Sequence, residues 1–174
     1  MDMVETAGAG ISIDPAGNMK DGVGIAPIDK MKKRDIPTGL GVDDESVNIF
    51  ESMRFLDRVM KDLKGDLKAI SPEEILRIVT IEGAALFGLD DRIGSLEPGK
   101  RGDLVIIDSE SIPTSLRRDN VVQHVVKSVG VGDVETVIIG GQEVVKNHNI
   151  KTLNEKRAMN KCKKTSKDVW KKFE

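Results

Sequence analysis

Asp43 is the acid in this sequence best placed to do chemistry. It follows Pro37–Val42, a short apolar stretch broken by Gly39 and Gly41 that reads as a strand and ends at Asp43-Asp44-Glu45. In parallel α/β folds, reacting groups gather beyond the C-terminal ends of the strands. A carboxylate there could bind a metal ion or shuttle a proton. The same three acids would equally suit the polar start of a helix, favoured by its dipole. Spacing alone leaves both readings open. Histidine is scarce: His124 sits in an apolar β-type run and His148 in a polar turn, far apart in the chain. There is no HxH or HExxH, and the single cysteine, Cys162, cannot build a thiolate metal site. Both histidines therefore read as structural or exposed. No Gly-x-Ser-x-Gly elbow is present, and Gly22-Val23-Gly24 lacks the third glycine of a dinucleotide loop.

The elements that must position Asp43 can be read from periodicity and punctuation. Gly10–Ile13 predicts a brief buried strand, followed by a turn over Asp14–Asn18. Pro27–Lys33 predicts a short helix with Pro27 at its first position. After the acids, Ser46 is the expected cap of a helix over 47–63. Ile49, Met53, Leu56, Met60 and Leu63 form its apolar stripe, and Gly65 stops it. Ser71-Pro72-Glu73-Glu74 has the form of a capping box opening a helix that buries Ile75, Leu76, Val79 and Leu86 and ends at Gly88. From about residue 92 the pattern turns to short β runs: Leu104–Ile107, Val121–Val129, Val134–Ile139 and Glu143–Lys146. Gly140-Gly141 is placed as a tight hairpin between the last two. The tail from Thr152 to Phe173 reads as a helix. The expected class is α/β followed by a small antiparallel β module.

Charge and composition exclude several roles. The net charge of −2 argues against a general nucleic-acid or membrane binder. Tyr is absent and aromatics total 3%, so base-stacking platforms are not available. No apolar run approaches the roughly 18 residues of a membrane span. One cysteine allows no internal disulfide, which suits a reducing, cytoplasmic location. Residues 151–174 hold nine Lys or Arg against three acids, a net +6, leaving −8 on the rest. The tail is expected to lie as a solvated helix against that acidic body, with polyanion binding as the alternative.

A resemblance sharpens this reading. Ile93–Asp108, containing Gly94-Ser95-Leu96-Glu97-Pro98-Gly99-Lys100, resembles the segment that leads from barrel to β-sandwich in the amidohydrolase superfamily. Only Gly102 departs, from the usual alanine. Thr80–Leu89 resembles the preceding helix, and Asn120–Ser128 with Gly132–Gly141 resembles sandwich strands. Gly39–Asp44 is similar to the end of the eighth barrel strand, and Glu51-Ser52-Met53-Arg54 to the helix after it. Ile11–Lys20 with Gly24–Pro27 is similar to strand seven. The similarity is strongest to the deaminase and chlorohydrolase branch, which holds guanine, cytosine and adenosyl-compound deaminases and triazine hydrolases.

The resemblance implies the last strands and helices of a (β/α)8 barrel over residues 1–91. It further implies a composite β-sandwich portion over 92–150 and a basic C-terminal helix over 151–174. It implies hydrolysis of a non-peptide C–N bond in a small molecule such as a cyclic amidine, purine, pyrimidine or triazine. Asp43 matches the aspartate that takes a proton from a metal-bound water and passes it to the leaving amine. The metal is zinc or iron, which lowers the pKa of that water. Asn18 and Asp44 would border the substrate pocket.

The departures matter as much. The histidines of strands one, five and six have no counterpart, because residues 1–10 resemble the helix that follows the strand-six histidine. Ile13 stands at the strand-seven histidine and Gly17 at a serine, and Asp44 replaces a glycine. Asp43 could be a metal ligand only with further ligands supplied from elsewhere, since a catalytic zinc needs about three protein ligands. The expectation is a chain that binds no metal and is inactive alone: a fragment, one half of a split enzyme or a degenerate remnant. It would pair with itself or with a complementing N-terminal half, and not with nucleic acid or a membrane. The alternative is a non-catalytic remnant acting as an oligomerising or binding module.

Overall fold

The computed structural model describes residues 1–44, 47–110, 112 and 114–173. Two parallel strands, β1 (Ile11–Ile13) and β2 (Thr38–Leu40), pair in register from Ile11 opposite Thr38 to Ile13 opposite Leu40. A short helix, α1 (Asp2–Thr6), precedes them. Between the strands run α2 (Pro15–Lys20) and α3 (Ile28–Lys32), so this is a strand–helix–strand crossover. The predicted turn at Asp14–Asn18 is instead the start of α2. Asp14 takes the N-cap position and Pro15 the first helical position, where its missing N–H costs nothing. Pro27 sits one place earlier than expected, as the N-cap of α3.

The helices that follow build the core. In α4 (Ile49–Lys64) the buried face is Ser52, Met53, Leu56, Asp57, Val59 and Met60. Leu63, expected on that stripe, is exposed. Ser46, the expected cap, lies outside the described residues. The N-cap position falls to Asn48, whose side chain makes no capping bond. The capping box of α5 (Pro72–Val79) forms as read: Ser71 Oγ accepts from the Glu74 N–H at 3.2 Å, and Glu74 Oε2 accepts from the Ser71 N–H at 2.8 Å. The expected single helix to Gly88 is broken. Thr80 leaves helical geometry (φ −120, ψ −100), and α6 (Ile81–Leu86) starts afresh. Leu86 of α6 lies directly over Gly10 and Gly39, where any larger side chain would collide with it.

The largest difference from the sequence reading is α7 (Val121–Lys127). This run of valines was expected to be a strand, yet it is a helix packed against α4 and α5. Val126 is fully buried there, and Arg54 Nη1 donates to the Val129 carbonyl at 2.6 Å. Burial against two helices outweighs the β preference of valine. Ile13, Ile28, Met31, Met53, Leu56, Met60, Ile75, Ile78 and Val126 share this one core. Burying a side chain such as Leu56 contributes about 1.5–3 kcal/mol.

A second, four-stranded antiparallel sheet runs in the order β3 (Leu104–Ile107), β4 (Val134–Ile139), β5 (Gln142–Lys146), β6 (Asn149–Ile150). Gly140 and Gly141 turn β4 into β5 with φ of 58 and 79, the pair of left-handed residues that a two-residue hairpin favours. Asn147 and His148 repeat the device with φ of 47 and 61 before β6, a strand the sequence reading missed. The tail forms α8 (Glu155–Trp170), capped by Asn154, whose Oδ1 accepts from the Arg157 N–H at 2.8 Å. No residue of α8 is buried, so the expected seat against the acidic body is not formed. No helix is long and apolar enough to cross a membrane among the described residues.

Candidate functional site: two carboxylates beyond the parallel strands

An aspartate follows each strand of the parallel pair. Asp14 is the first residue past β1. Asp43 lies three past β2, after Gly41 and Val42. The Gly41 N–H donates to the Ile13 carbonyl at 2.9 Å, which keeps the two chain ends side by side. Asp43 adopts a left-handed backbone with φ of 50, uncommon for a residue that carries a side chain.

Each carboxylate rests on the other segment's glycine. A Cβ at Gly17 would lie 3.0 Å from Asp43 Cβ and 3.1 Å from Asp43 Cγ, and would overlap Asp43 Oδ2. A Cβ at Gly41 would lie 3.0 Å from both Asp14 Cγ and Ser12 Oγ. Neither glycine has a positive φ, so close approach, not backbone freedom, is what each supplies. Burial first, and then the Asp43 charge, pushes the Asp14 carboxyl above its ordinary pKa, while the Asp43 backbone N–H bonding to it acts the other way.

The remaining candidates divide. Asp43 is exposed at the strand ends, free to meet a small molecule. Asp44 is exposed too, but its Oδ1 is engaged by Lys20 Nζ at 3.0 Å. Asn18 is half-buried on α2, immediately after Gly17. So Asp43, Asp44 and Asn18 belong to the same end of the sheet. His124 does not: it lies on α7 and lines an apolar cavity of about 190 Å³ with Val105, Ile107, Leu116 and Val125. His148 sits in the hairpin turn before β6. Among the described residues no three His, Cys, Asp or Glu side chains gather as a metal site. Asp14 reads from the sequence as a turn residue. The signal that could have found it is the strand-end position that marked Asp43.

The model of the amidohydrolase family matches residues 1–144. The chain belongs to the amidohydrolase family. A 5-methylthioadenosine/S-adenosylhomocysteine deaminase of Thermoanaerobacter pseudethanolicus is 34% identical over 160 residues, 90% of this chain and 37% of that protein. A 5'-deoxyadenosine deaminase of Methanobrevibacter smithii is 32% identical over 163 residues, 91% of this chain and 38% of that protein. Among solved structures, an adenosine deaminase from Xanthomonas campestris with bound zinc superposes with a TM-score of 0.86 at 22% identity. That match covers 93% of this chain and 38% of the other. The amidohydrolase chain thus spans well under half the length of these relatives. The fold is that of the last strands and helices of a (β/α)8 amidohydrolase barrel, followed by a small antiparallel sandwich portion and a C-terminal helix. The described residues do not by themselves fit the zinc that the structural neighbour carries, because Asp14 and Asp43 have no third ligand beside them.

Proposed function

We propose that these 174 residues are the C-terminal portion of an aminohydrolase, cytoplasmic and specific for a small molecule, that cleaves a non-peptide C–N bond. The substrate is a cyclic amidine of the purine, pyrimidine or triazine kind. The observation that carries this reading is Asp43: an exposed carboxylate in a left-handed turn beyond a parallel strand, lying against Gly17, where a side chain would collide with it. The deaminase relatives support the reaction class.

In that reaction water adds to the ring carbon bearing the amine. Asp43 accepts the water's proton and returns it to the departing nitrogen. The C–N bond breaks, ammonia leaves, and the ring carbon keeps the oxygen as a carbonyl while the water's second proton ends on the adjacent ring nitrogen, which took up the electron pair of the C=N bond on addition. Asn18 and Asp44 border the substrate pocket. The zinc or iron of a complete enzyme would need its ligands outside the described residues, on further sequence or on a complementing chain. These residues alone are inactive. Residues 1–91 act as the partial barrel, 92–150 as the sandwich portion, and 151–174 as a basic helix.

The test combines the purified chain with the remaining N-terminal part of the Thermoanaerobacter deaminase and measures ammonia release from methylthioadenosine. Activity that needs both parts and falls by about 10³-fold in Asp43→Asn is the expected result. A folded, metal-loaded complex that deaminates nothing would instead favour a non-catalytic remnant acting through association. So would one in which Asp43→Asn is fully active.

A further inference from the structure

We propose that α8 is a membrane-surface helix: its lysine-rich face and its apolar stripe together fit a bilayer of anionic phospholipid. The proposal is independent of the role given to Asp43.

Three observations carry it. First, α8 is a formed helix with no seat. Asn154 caps it, yet none of its residues is buried. Second, its apolar and charged residues are segregated. At 3.6 residues per turn, Met159, Cys162, Ser166, Val169 and Trp170 lie along one side. Phe173 extends that stripe by packing on Trp170, with ring centroids 6.1 Å apart. Met159, Trp170 and Phe173 are each more than half exposed. Lys156, Arg157, Lys161, Lys163, Lys164 and Lys167 fill the other side, with Asp168 the only acid among them. Third, these cations are unmatched. Among the described residues no ion pair reaches α8.

The chemistry of the two faces selects the partner. Protein interfaces favour arginine and are poor in lysine. Five of these six cations are lysines, point charges with no demand for a fixed geometry. A nucleic acid would match the charge but leave the apolar stripe in water. An anionic bilayer takes both: the stripe sinks to the boundary of headgroups and acyl chains, and the lysines reach back to the lipid phosphates and carboxylates. The net charge of −2 argues against a membrane for the chain as a whole, but that sum mixes +6 on residues 151–174 with −8 on the rest. Charges more than about 8 Å apart are largely screened by salt, so the local +6 sets the attraction.

Trp170 is the single tryptophan of the chain, so its fluorescence reports on α8 alone. The full chain is titrated with vesicles of phosphatidylserine mixed with phosphatidylcholine, and with vesicles of phosphatidylcholine alone. The Trp170 emission is expected to move to shorter wavelength, and the chain to float with the vesicles, only where phosphatidylserine is present. Each lysine contributes about fivefold, so the combined Lys163→Gln, Lys164→Gln and Lys167→Gln variant should bind on the order of 10²-fold more weakly. Val169→Ser keeps every charge and should weaken binding by about tenfold or more. All four side chains are exposed, so these variants leave the core untouched. Equal binding to both kinds of vesicle, binding to neither, or a lysine variant that binds like the parent chain overturns the proposal. Heparin bound as tightly as the anionic vesicles, with no shift of Trp170, overturns it in favour of a polyanion site. A Trp170 shift on adding the N-terminal part of the Thermoanaerobacter deaminase, with loss of vesicle binding, overturns it too and makes α8 an internal seam of the assembled enzyme.

Discussion

Gly17→Ala should separate activity from stability at a single carbon atom. The added methyl would lie 3.0 Å from Asp43 Cβ and 3.1 Å from Asp43 Cγ, where ordinary contact begins at 3.4 Å. Its overlap with Oδ2 is deeper still, so the carboxylate must retreat by on the order of 1 Å. Misplacing a reacting group by that much costs about 10²-fold in rate. Folding has no matching reason to suffer. Gly17 is not in a left-handed conformation and lies within α2, where alanine is intrinsically better than glycine by up to about 1 kcal/mol. The assay is kcat of the reconstituted deaminase beside its thermal midpoint. The expected pair of results is a kcat down by about 10²-fold and a midpoint unchanged or slightly raised. Gly132→Ala is the control, because a methyl there meets nothing within 4 Å and the backbone is not left-handed. If Gly17→Ala keeps kcat within about threefold, the seat of Asp43 on Gly17 is not the productive geometry and the reasoning fails.

Three further outcomes follow from the same structure. Glu74 has its pKa lowered from 4.5 to about 2, by Lys32 Nζ at 2.8 Å first and by the Ser71 N–H and hydroxyl after it. A depressed carboxyl stabilises the fold above pH 4.5 and loses that contribution as pH falls toward 2. Because the side chain is 47% exposed, screening reduces the effect to about 1 kcal/mol. Urea titrations of Glu74→Gln should therefore show a deficit at pH 7 that vanishes near pH 2, and an equal deficit at both would refute the assignment. Leu56→Ala, at a position with no exposed surface, should cost about 2–5 kcal/mol in the same titrations; a loss under 1 kcal/mol would mean that the site collapses around the cavity. Equilibrium dialysis of the chain alone should retain no stoichiometric zinc, since Asp43 and Asp14 lack a third ligand among the described residues. Stoichiometric retention would contradict that.

Much of this architecture was legible because local chemistry and tertiary structure agree. Ser71-Pro72-Glu73-Glu74 can hardly do anything but start a helix, and Gly140-Gly141 turns a hairpin wherever two strands flank it. The failures occur where they disagree. Val121–Lys127 carries a β-prone sequence, but its Val126 fills the space between α4 and α5, and no local signal reports that space. The break at Thr80 is likewise set from a distance. Gly94 comes so close to the start of α6 that a Cβ there would lie 2.8 Å from Ile81 Cα. Asp43 was visible as a strand-end acid with two open readings, and what the sequence did not show is its left-handed turn and its close approach to Gly17. Asp14 was not visible, because a residue before proline reads as a turn or a cap. Only the three-dimensional pairing of β1 with β2 brings its carboxylate to Gly41.

The positions of core and site explain why function can be perturbed here without unfolding the chain. The buried side chains lie among α3, α4, α5 and α7, with Ile13 contributed from β1. None of Asp14, Gly41 or Asp43 belongs to that core, although Gly17 is buried at its margin. On the side of β2 facing α5 and α6 there remains an apolar cleft of about 440 Å³, bordered by Leu40, Val79, Leu86 and Ile93. A cleft of this kind beside the free edge of β2 is the surface that another strand of a barrel would cover, since unpaired strand edges and open apolar faces favour pairing. Association of a complementing segment would then close the cleft while the Asp14–Asp43 turn pair keeps the shape it already has. The stability gained on reconstitution should come from the cleft, and the chemistry from the carboxylate. Leu40→Ala should accordingly weaken assembly with the N-terminal segment while leaving the turnover of the assembled enzyme unchanged, and Gly17→Ala should do the reverse. If both substitutions alter assembly and turnover together, the two surfaces are one, and the independence of core and site argued from the packing is wrong.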